Sequence, residues 1–112
     1  MPVIVISTNI EIAQPHALTK IVSHEIAMAL GKDERYVMVH LHSKQEMCFA
    51  ASTDPLAFVE LKSLGLKPTT TDELSHTLCE LLEDEMGIDP ARIYIEFSAP
   101  ASNMFGWNNS TF

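Results

Sequence analysis

The chain has 112 residues and a formal net charge of −8, so it can enclose one small hydrophobic core and would be repelled by phosphate backbones and anionic membranes. No stretch approaches the ~20 apolar residues of a membrane span, and the N-terminus lacks the basic region and cleavage site of a signal peptide. Cys48 and Cys79 form no C-x-x-C and have no metal-ligand spacing. These features predict one cytoplasmic domain, residues 1–112, with no nucleic-acid or membrane partner.

The N-terminus opens with Met1-Pro2 and continues directly into the apolar run Val3-Ile4-Val5-Ile6, which predicts a first strand. Because Pro2 is small, we expect Met1 to be removed, leaving a free secondary amine. An α-amino group titrates near ~8, and burial among apolar side chains lowers its pKa further. A neutral amine near pH 7 is what a general base requires. Pro2 is therefore a candidate catalytic base, although most Met-Pro starts have no catalytic role.

The remaining elements follow from periodicity and from start and stop signals. Apolar residues at spacings of three and four predict a helix over 18–30 that ends at Gly31. Period-two alternation predicts strands near 36–42, 56–62 and 92–97, with a further short strand at 47–51 and a loop over 63–70. Thr70 and Glu73 fit a capping box for a second helix that ends at Gly87.

The two halves of the chain, about 1–56 and 57–112, repeat each other at an offset of 56 residues. Gly31 corresponds to Gly87, and each half predicts a strand, a helix and a strand. The apolar pairs at this offset are Val3 with Val59, Val5 with Leu61, Leu18 with Leu74, Val22 with Leu78, Ile26 with Leu82, Val37 with Ile93, Val39 with Ile95, and Leu41 with Phe97.

This tandem β-α-β repeat predicts an α/β fold with one mixed four-stranded sheet and two helices on one face. Right-handed crossovers make the two strands of each half parallel. The second face of the sheet and its outer edges then lack a cover. Assembly into a closed cyclic oligomer would supply both.

Several short motifs resemble the macrophage migration inhibitory factor and D-dopachrome tautomerase family over the whole length of the chain. The most specific are the Met1-Pro2 start and the ending Trp107-Asn108-Asn109-Ser110-Thr111-Phe112. The others are Ser7-Thr8-Asn9, Leu30-Gly31-Lys32, Tyr36-Val37-Met38-Val39, Ser52-Thr53-Asp54-Pro55, Lys62-Ser63-Leu64-Gly65 and Asp89-Pro90-Ala91-Arg92-Ile93-Tyr94-Ile95.

The resemblance implies a tautomerase fold and a homotrimer with an active site at each subunit interface. It implies cofactor-independent keto–enol tautomerisation of phenylpyruvate-like and dopachrome-like keto acids. Pro2 is similar to the family's catalytic base, Lys32 to its carboxylate-binding lysine, and Leu64 to the residue whose backbone amide binds the same carboxylate. Tyr94 is similar to a tyrosine from the neighbouring subunit. The positions that resemble pocket walls are Tyr36, Trp107 and Phe112.

The sequence departs from the family at informative positions. Glu96 stands where the vertebrate cytokine has an asparagine near the ring end of the substrate, and a carboxylate there would repel an anionic or electron-rich ring substituent. Leu56 and Val59 occupy the positions of the cytokine's C-x-x-C, so we expect no thiol-disulfide oxidoreductase activity.

Other interpretations of the same residues remain open. Lys32 follows a helix end and could simply interact with the helix dipole, and Tyr94 could be an ordinary strand residue. His40 and His42 could hold a metal, but a solvated pair is the expected state, because structural zinc takes four ligands.

Three functions remain open as well. The protein could be a tautomerase, or a cytokine-like protein that is exported without a signal peptide and binds a cell-surface receptor through a vestigial pocket. The third is decarboxylation or hydration of a small unsaturated acid. Relatives with that chemistry use extra arginines and a glutamate, and this chain has only Arg35 and Arg92, with Glu96.

Overall fold

Two 16-residue helices and a four-stranded sheet form the body of the protein. A computed structural model describes the whole chain, Met1–Phe112. In chain order the elements are β1 (Pro2–Thr8), α1 (Pro15–Leu30), β2 (Met38–His42), β3 (Ala57–Ser63), α2 (Thr71–Met86), β4 (Ile93–Ser98), β5 (Gly106–Trp107) and β6 (Ser110–Thr111). The last two strands pair with each other as a separate hairpin.

The main sheet has the order β2-β1-β3-β4. Strand β1 runs parallel to β2, β3 runs parallel to β4, and the two central strands are antiparallel. Each half is thus a strand, a helix and a parallel strand. The predicted α/β class, the mixed four-stranded sheet and the tandem β-α-β arrangement are confirmed.

The core lies between one face of the sheet and the two helices. Alternate residues of β1 and β3 face it, because side chains on a strand alternate between the two faces. The helices contribute residues spaced one helical turn apart. The core residues named by element are Ile4 and Ile6 on β1, Val59 and Leu61 on β3, Leu18, Val22 and Ile26 on α1, and Leu74, Leu78 and Leu82 on α2.

The repeat holds at an offset of 56 in the helices but not in the first strand of each half. Buried residues alternate from Pro2 in β1 and from Ala57 in β3, an offset of 55. The predicted pairs of Val3 with Val59 and of Val5 with Leu61 are therefore wrong, since Val3 and Val5 face away from the helices. Residues 64–70 join β3 to α2, one residue more than the 9–14 connection from β1 to α1, and this extra residue restores the helix register.

The second strand of the first half, β2, begins later than the periodicity suggests. Asp33 accepts a hydrogen bond from the backbone N–H of Arg35 at 3.0 Å and caps a 3₁₀ turn over Glu34–Tyr36. The predicted strand over 36–42 accordingly starts at Met38. Asp89 caps the equivalent turn before β4 in the same way.

Two local predictions are wrong. Thr70 does not form a capping box, because its hydroxyl donates to the Lys67 carbonyl at 2.8 Å and its backbone lies in a 3₁₀ turn. The segment 47–51 contains no strand, because Ala50 and Ala51 adopt positive φ angles of 53° and 58° that turn the chain. A single bridge between Phe49 and Ser52 closes that turn.

The uncovered face of the sheet carries polar, apolar and aromatic side chains in register. Alternation and strand pairing place four groups there: Met38, His40 and His42; Val3, Val5 and Ser7; Phe58, Glu60 and Lys62; and Tyr94, Glu96 and Ser98. Large apolar side chains on this face remain exposed, Met38 at 63 % and Tyr94 at 65 %. Neither helix has the length and hydropathy that crossing a membrane requires.

Two buried hydroxyls at opposite ends of the central strands differ in their partners, and this predicts different effects on stability. Thr8 donates to the Leu56 carbonyl at 2.8 Å and accepts from the N–H of Ile10 at 3.3 Å, whereas the Ser63 hydroxyl has no partner. Ser63→Ala removes an unsatisfied polar group, so we expect the free energy of unfolding to stay constant or rise by up to about 1 kcal/mol. Thr8→Val leaves the Leu56 carbonyl and the Ile10 N–H without their hydrogen-bond partner, so it should lower the free energy of unfolding by about 1–3 kcal/mol.

Urea unfolding of the two variants measures the difference, with a shift in midpoint at constant slope indicating a change in stability. Equal losses in both variants would mean that the Ser63 hydroxyl has a hydrogen-bond partner in solution.

Candidate functional site

Pro2 is the first residue of the central strand β1 and is buried, with less than 2 % of its surface exposed. Its side chain faces the helices, and it lies opposite Ser63, the last residue of β3. A proline fits this end of a strand because it has no N–H to donate to the sheet. Removal of Met1 would leave the Pro2 nitrogen as an amine at the rim of the core.

The N-terminal amine already has an altered acidity while Met1 is attached. Partial burial lowers the pKa of the Met1 amine, and the positive charge of Lys32 lowers it further. Both causes disfavour the ammonium form. The environment at this end of β1 therefore favours a neutral amine, which is the form that can accept a proton.

Lys32 lies directly beyond the C-terminus of α1. Gly31 adopts a left-handed φ of 63°, and the N–H of Lys32 bonds to the Ala27 carbonyl at 3.0 Å, which ends the helix in a Schellman-type turn. The Lys32 side chain then reaches the loop after β3, where its Nζ donates to the Leu64 carbonyl at 3.3 Å. The ammonium thus contacts a carbonyl of that loop and lies beside the start of β1.

A cavity of about 280 Å³ lies between the end of α1, the loop after β3 and the start of α2. Lys32, Ser63 and Leu64 form part of its wall, and Pro2 does not. The Ser63 side chain is 1 % exposed. Leu64 is followed by Gly65, whose φ of 74° turns the chain away from the sheet.

An aromatic cluster of Tyr36, Trp107 and Phe112 forms beside this end of the sheet. The rings of Tyr36 and Trp107 meet edge to face at 5.5 Å between centroids, and those of Trp107 and Phe112 stack at 6.0 Å. Tyr36 ends the 3₁₀ turn just before β2, whose Met38 pairs with Val3. All three rings keep a third or more of their surface exposed, so they can form the open wall of a pocket.

Tyr94 and Glu96 lie on β4, away from the end of the sheet that carries Pro2. Tyr94 pairs in register with Phe58, five residues along β3 from Ser63, and β4 is two strands away from β1. At about 3.4 Å per residue and about 4.8 Å per strand, Tyr94 is about 20 Å from Pro2. Glu96 also faces the uncovered side of the sheet. One chain therefore brings Pro2, Lys32, Leu64 and the aromatic cluster to one end, but not Tyr94 or Glu96.

Both arginines have partners within their own chain. Arg35 pairs with Asp33 at 3.0 Å on the surface. Arg92 donates to four backbone carbonyls of residues 49–55. The guanidinium of Arg92 is therefore committed to the backbone, which disfavours a decarboxylase or hydratase that relies on two arginines.

His40 and His42 lie on one face of β2 with ring centroids 4.1 Å apart. No group of three or more His, Cys, Asp or Glu side chains comes together in the structure. The pair therefore has two candidate ligands and no third from the same chain.

Sequence reasoning did not single out Phe49, Ser63 or Phe105 as parts of this architecture. The rings of Phe49 and Tyr94 are tilted by 52° with centroids 4.6 Å apart, and those of Phe105 and Phe112 lie 6.2 Å apart. Alternation along β3 places Ser63 on the core side, opposite Pro2, once it is known which residues of β3 face the core. Nothing local in the sequence signals the contact between Phe49 and Tyr94, which are 45 residues apart.

Comparisons with known proteins agree over the whole chain. Residues 1–112 match the sequence model of a family described as macrophage migration inhibitory factor. A macrophage migration inhibitory factor homolog of Brugia malayi is 40% identical over 114 residues, covering 100% of this chain and 99% of the relative. The macrophage migration inhibitory factor of Meriones unguiculatus is 36% identical with the same coverage.

Solved structures give the same picture. A crystal structure of a macrophage migration inhibitory factor homologue from Prochlorococcus marinus superposes with a TM-score of 0.93 at 38% identity, covering 98% of both chains. The structure of the Trichinella spiralis protein has a TM-score of 0.93 at 32% identity, covering 98% of this chain and 99% of the other.

Proposed function

Because this chain belongs to the macrophage migration inhibitory factor family, we propose that it is a cofactor-independent keto–enol tautomerase of phenylpyruvate-like keto acids, with Pro2 as its general base. A dopachrome-like acid is the second candidate substrate. Family membership supports tautomerase chemistry in general. The observation that carries the specific proposal is the position of the chain's first residues beside Lys32, where burial and charge lower the pKa of the N-terminal amine.

A keto–enol shift needs a base that takes a proton from one atom of the substrate and returns it to another. The processed Pro2 amine would lie in the environment that lowers the pKa of the Met1 amine, and this environment favours the neutral form that accepts a proton. Once protonated, the same amine serves as the acid. The same nitrogen can therefore perform both transfers. The ring of Pro2 is packed against the core, which holds the nitrogen in one place.

Lys32 supplies the positive charge that an α-keto acid requires. Its ammonium can hold the substrate carboxylate while one hydrogen bond ties it to the Leu64 carbonyl. The Leu64 backbone amide is proposed as a second donor to that carboxylate. Charge-assisted hydrogen bonds of this kind are strong and place the carboxylate accurately. Tyr36, Trp107 and Phe112 would enclose the aromatic ring of the substrate.

We propose a homotrimer, in which a neighbouring subunit supplies Tyr94 and Glu96 to the pocket at Pro2. Tyr94 lies about 20 Å from Pro2 within one chain, and Glu96 lies on the face of the sheet opposite to the Pro2 ring. These residues can therefore meet Pro2 only across an interface. The exposed Met38 and Tyr94 on the uncovered sheet face and the unpaired edges of β2 and β4 also require a partner. We also propose that Met1 is removed in the mature protein and that the protein acts in the cytoplasm.

Ketonisation of enol-phenylpyruvate by purified protein, shown by mass to lack Met1, tests the proposed activity. We expect catalysis in the absence of added metal or cofactor. An inactive Met1-free protein would overturn the proposal and would favour the alternative of a cytokine-like, receptor-binding protein with a vestigial pocket.

Glu96 should set the preference for the ring end of the substrate. Its carboxylate is exposed on β4 next to Glu60, and it repels a negative charge brought close to it. Glu96→Gln keeps the shape and removes the charge. We expect the KM for a phenylpyruvate analogue with a ring carboxylate to fall about two- to fivefold, the size of an exposed charge interaction, while the KM for phenylpyruvate stays constant.

Glu60→Gln is the matched control, because Glu60 lies beside Glu96 on the same face and has no proposed contact with substrate. Equal changes in the two variants would show that the net charge of the face, and not a contact made by Glu96, controls the preference.

A further inference from the structure

Arg92 binds the loop between β2 and β3 with all three of its guanidinium nitrogens. Its Nε donates to the Pro55 carbonyl at 3.0 Å, and Nη1 donates to the Phe49 carbonyl at 3.2 Å. Nη2 donates to the carbonyls of Ser52 and Asp54 at 3.0 and 3.1 Å. A planar guanidinium can serve four carbonyls at once, whereas the three donors of an ammonium leave from a single point.

The loop that Arg92 binds adopts a backbone conformation that costs free energy and must be stabilised by other contacts. Ala50 and Ala51 both have positive φ angles, which residues with a Cβ rarely adopt and which cost free energy. Within the turn, Phe49 and Ser52 exchange two backbone hydrogen bonds, and the Asp54 N–H donates to the Ser52 hydroxyl at 3.1 Å. One of the four hydrogen bonds from Arg92 goes to Phe49 itself. Arg92 therefore holds the loop that carries Phe49, together with Asn9, which donates to the Thr53 carbonyl at 2.8 Å.

Phe49 is the link between this loop and Tyr94. The centre of its ring lies 5.5 Å from the Arg92 guanidinium carbon and 4.6 Å from the centre of the Tyr94 ring. Tyr94 is otherwise 65 % exposed, and a ring on an exposed strand residue keeps several rotamers. Contact with a fixed aromatic neighbour selects one of them, so less conformational entropy is lost when the ring binds a ligand.

We propose that Phe49, held by Arg92, is a positioning residue that orients Tyr94 for substrate binding in the neighbouring subunit's pocket. This inference rests on the proposed function, because Tyr94 must contact substrate for its orientation to matter. Phe49 and Arg92 themselves touch no reacting atom. Their effect is therefore on KM, with kcat unchanged, since a contact made equally in the bound and transition states alters binding alone.

The contact between the Phe49 and Tyr94 rings can be tested without activity, because the chain has only two tyrosines. The tyrosine ring signals that remain in the NMR spectrum of Tyr36→Phe belong to Tyr94, so this variant assigns them. Phe49→Leu should remove the ring-current displacement of the Tyr94 signals and leave those of Tyr36 unchanged. Unchanged Tyr94 signals in Phe49→Leu would overturn the proposal.

The kinetic test is a double-mutant cycle. We expect Phe49→Leu to raise the KM for phenylpyruvate about two- to tenfold, the worth of one aromatic pair, and Phe49→Tyr to restore the wild-type KM. Arg92→Lys should raise KM in the same way. In a Tyr94→Ala background, Phe49→Leu should have no further effect, because its action passes through Tyr94.

Ile26→Val in the core is the control for a purely structural loss, and it should lower stability without changing KM. A rise in KM caused by Phe49→Leu that persists in the Tyr94→Ala background would overturn the positioning role. An inactive wild-type protein would overturn the proposed function and the binding role together, whereas the Tyr94 resonances would still decide whether the two rings are in contact.

Discussion

Replacing Pro2 with alanine should lower kcat/KM for phenylpyruvate ketonisation by about 100-fold or more, the contribution expected of a positioned general base. Alanine at this position still permits removal of Met1 and still leaves an amine. It lacks the ring that is packed against the core, so the nitrogen is no longer held against the substrate. The measurement is steady-state kinetics on proteins whose masses show that Met1 is absent.

Pro15→Ala is the matched control. Pro15 is the first residue of α1 and is exposed, so this variant makes the same chemical change away from Pro2. We expect Pro15→Ala to retain wild-type kcat/KM. If Pro2→Ala kept more than about a tenth of the wild-type rate, the base would have to be another group.

Replacing Lys32 with methionine should raise the KM for phenylpyruvate about 10- to 100-fold, because the substrate carboxylate loses a charge-assisted hydrogen bond worth about 1.5–3 kcal/mol. Methionine keeps most of the length of the side chain and removes its charge. Lys67→Met is the control, because Lys67 lines the same cavity without the hydrogen bond to Leu64. A similar rise in both variants would show that net positive charge at the cavity, and not a contact with Lys32, binds the substrate.

The same variant has a predicted effect on pH dependence. Lys32 is one of the two causes that lower the pKa of the Met1 amine, and we expect its charge to act in the same direction on the Pro2 amine that replaces it. That amine must be neutral to act as a base. Activity should therefore fall as the pH drops through the pKa of the amine. Without Lys32 that pKa rises, so the acidic limb of the kcat/KM profile should move to higher pH. A limb that stays in place or moves to lower pH would contradict this role of Lys32.

Most of the fold could be predicted because its signals are local. The apolar stripes of the helices, the glycines that end them at Gly31 and Gly87, and the alternation in β2 and β4 are all read within a few residues. The phase of β1 and β3 was mispredicted because β1 is apolar on both faces: Val3 and Val5 on the uncovered side match Ile4 and Ile6 on the core side. Alternation cannot identify the inner face of such a strand.

In the candidate site, too, the residues in local motifs could be predicted and those that depend on distant contacts could not. Pro2, Lys32 and Leu64 were named from motifs, and the structure brings them together through neighbouring strand and helix ends. Phe49 was not predicted, and Arg92 was considered only as a substrate-binding arginine, because the role proposed for them depends on a contact with a ring on another strand. No spacing or motif encodes such a contact. It depends on how the loop after β2 folds back on β4.

The most direct test of the central claim is to measure phenylpyruvate ketonisation before and after the amine of Pro2 is set free in one sample. A fusion carrying a cleavable segment directly before Pro2 provides both forms, with intact mass reporting the extent of cleavage. We predict negligible activity while the Pro2 nitrogen is an amide, and activity that rises in proportion to the fraction of chains that begin at Pro2. Equal activity before and after cleavage would contradict the assignment of Pro2 as the catalytic base.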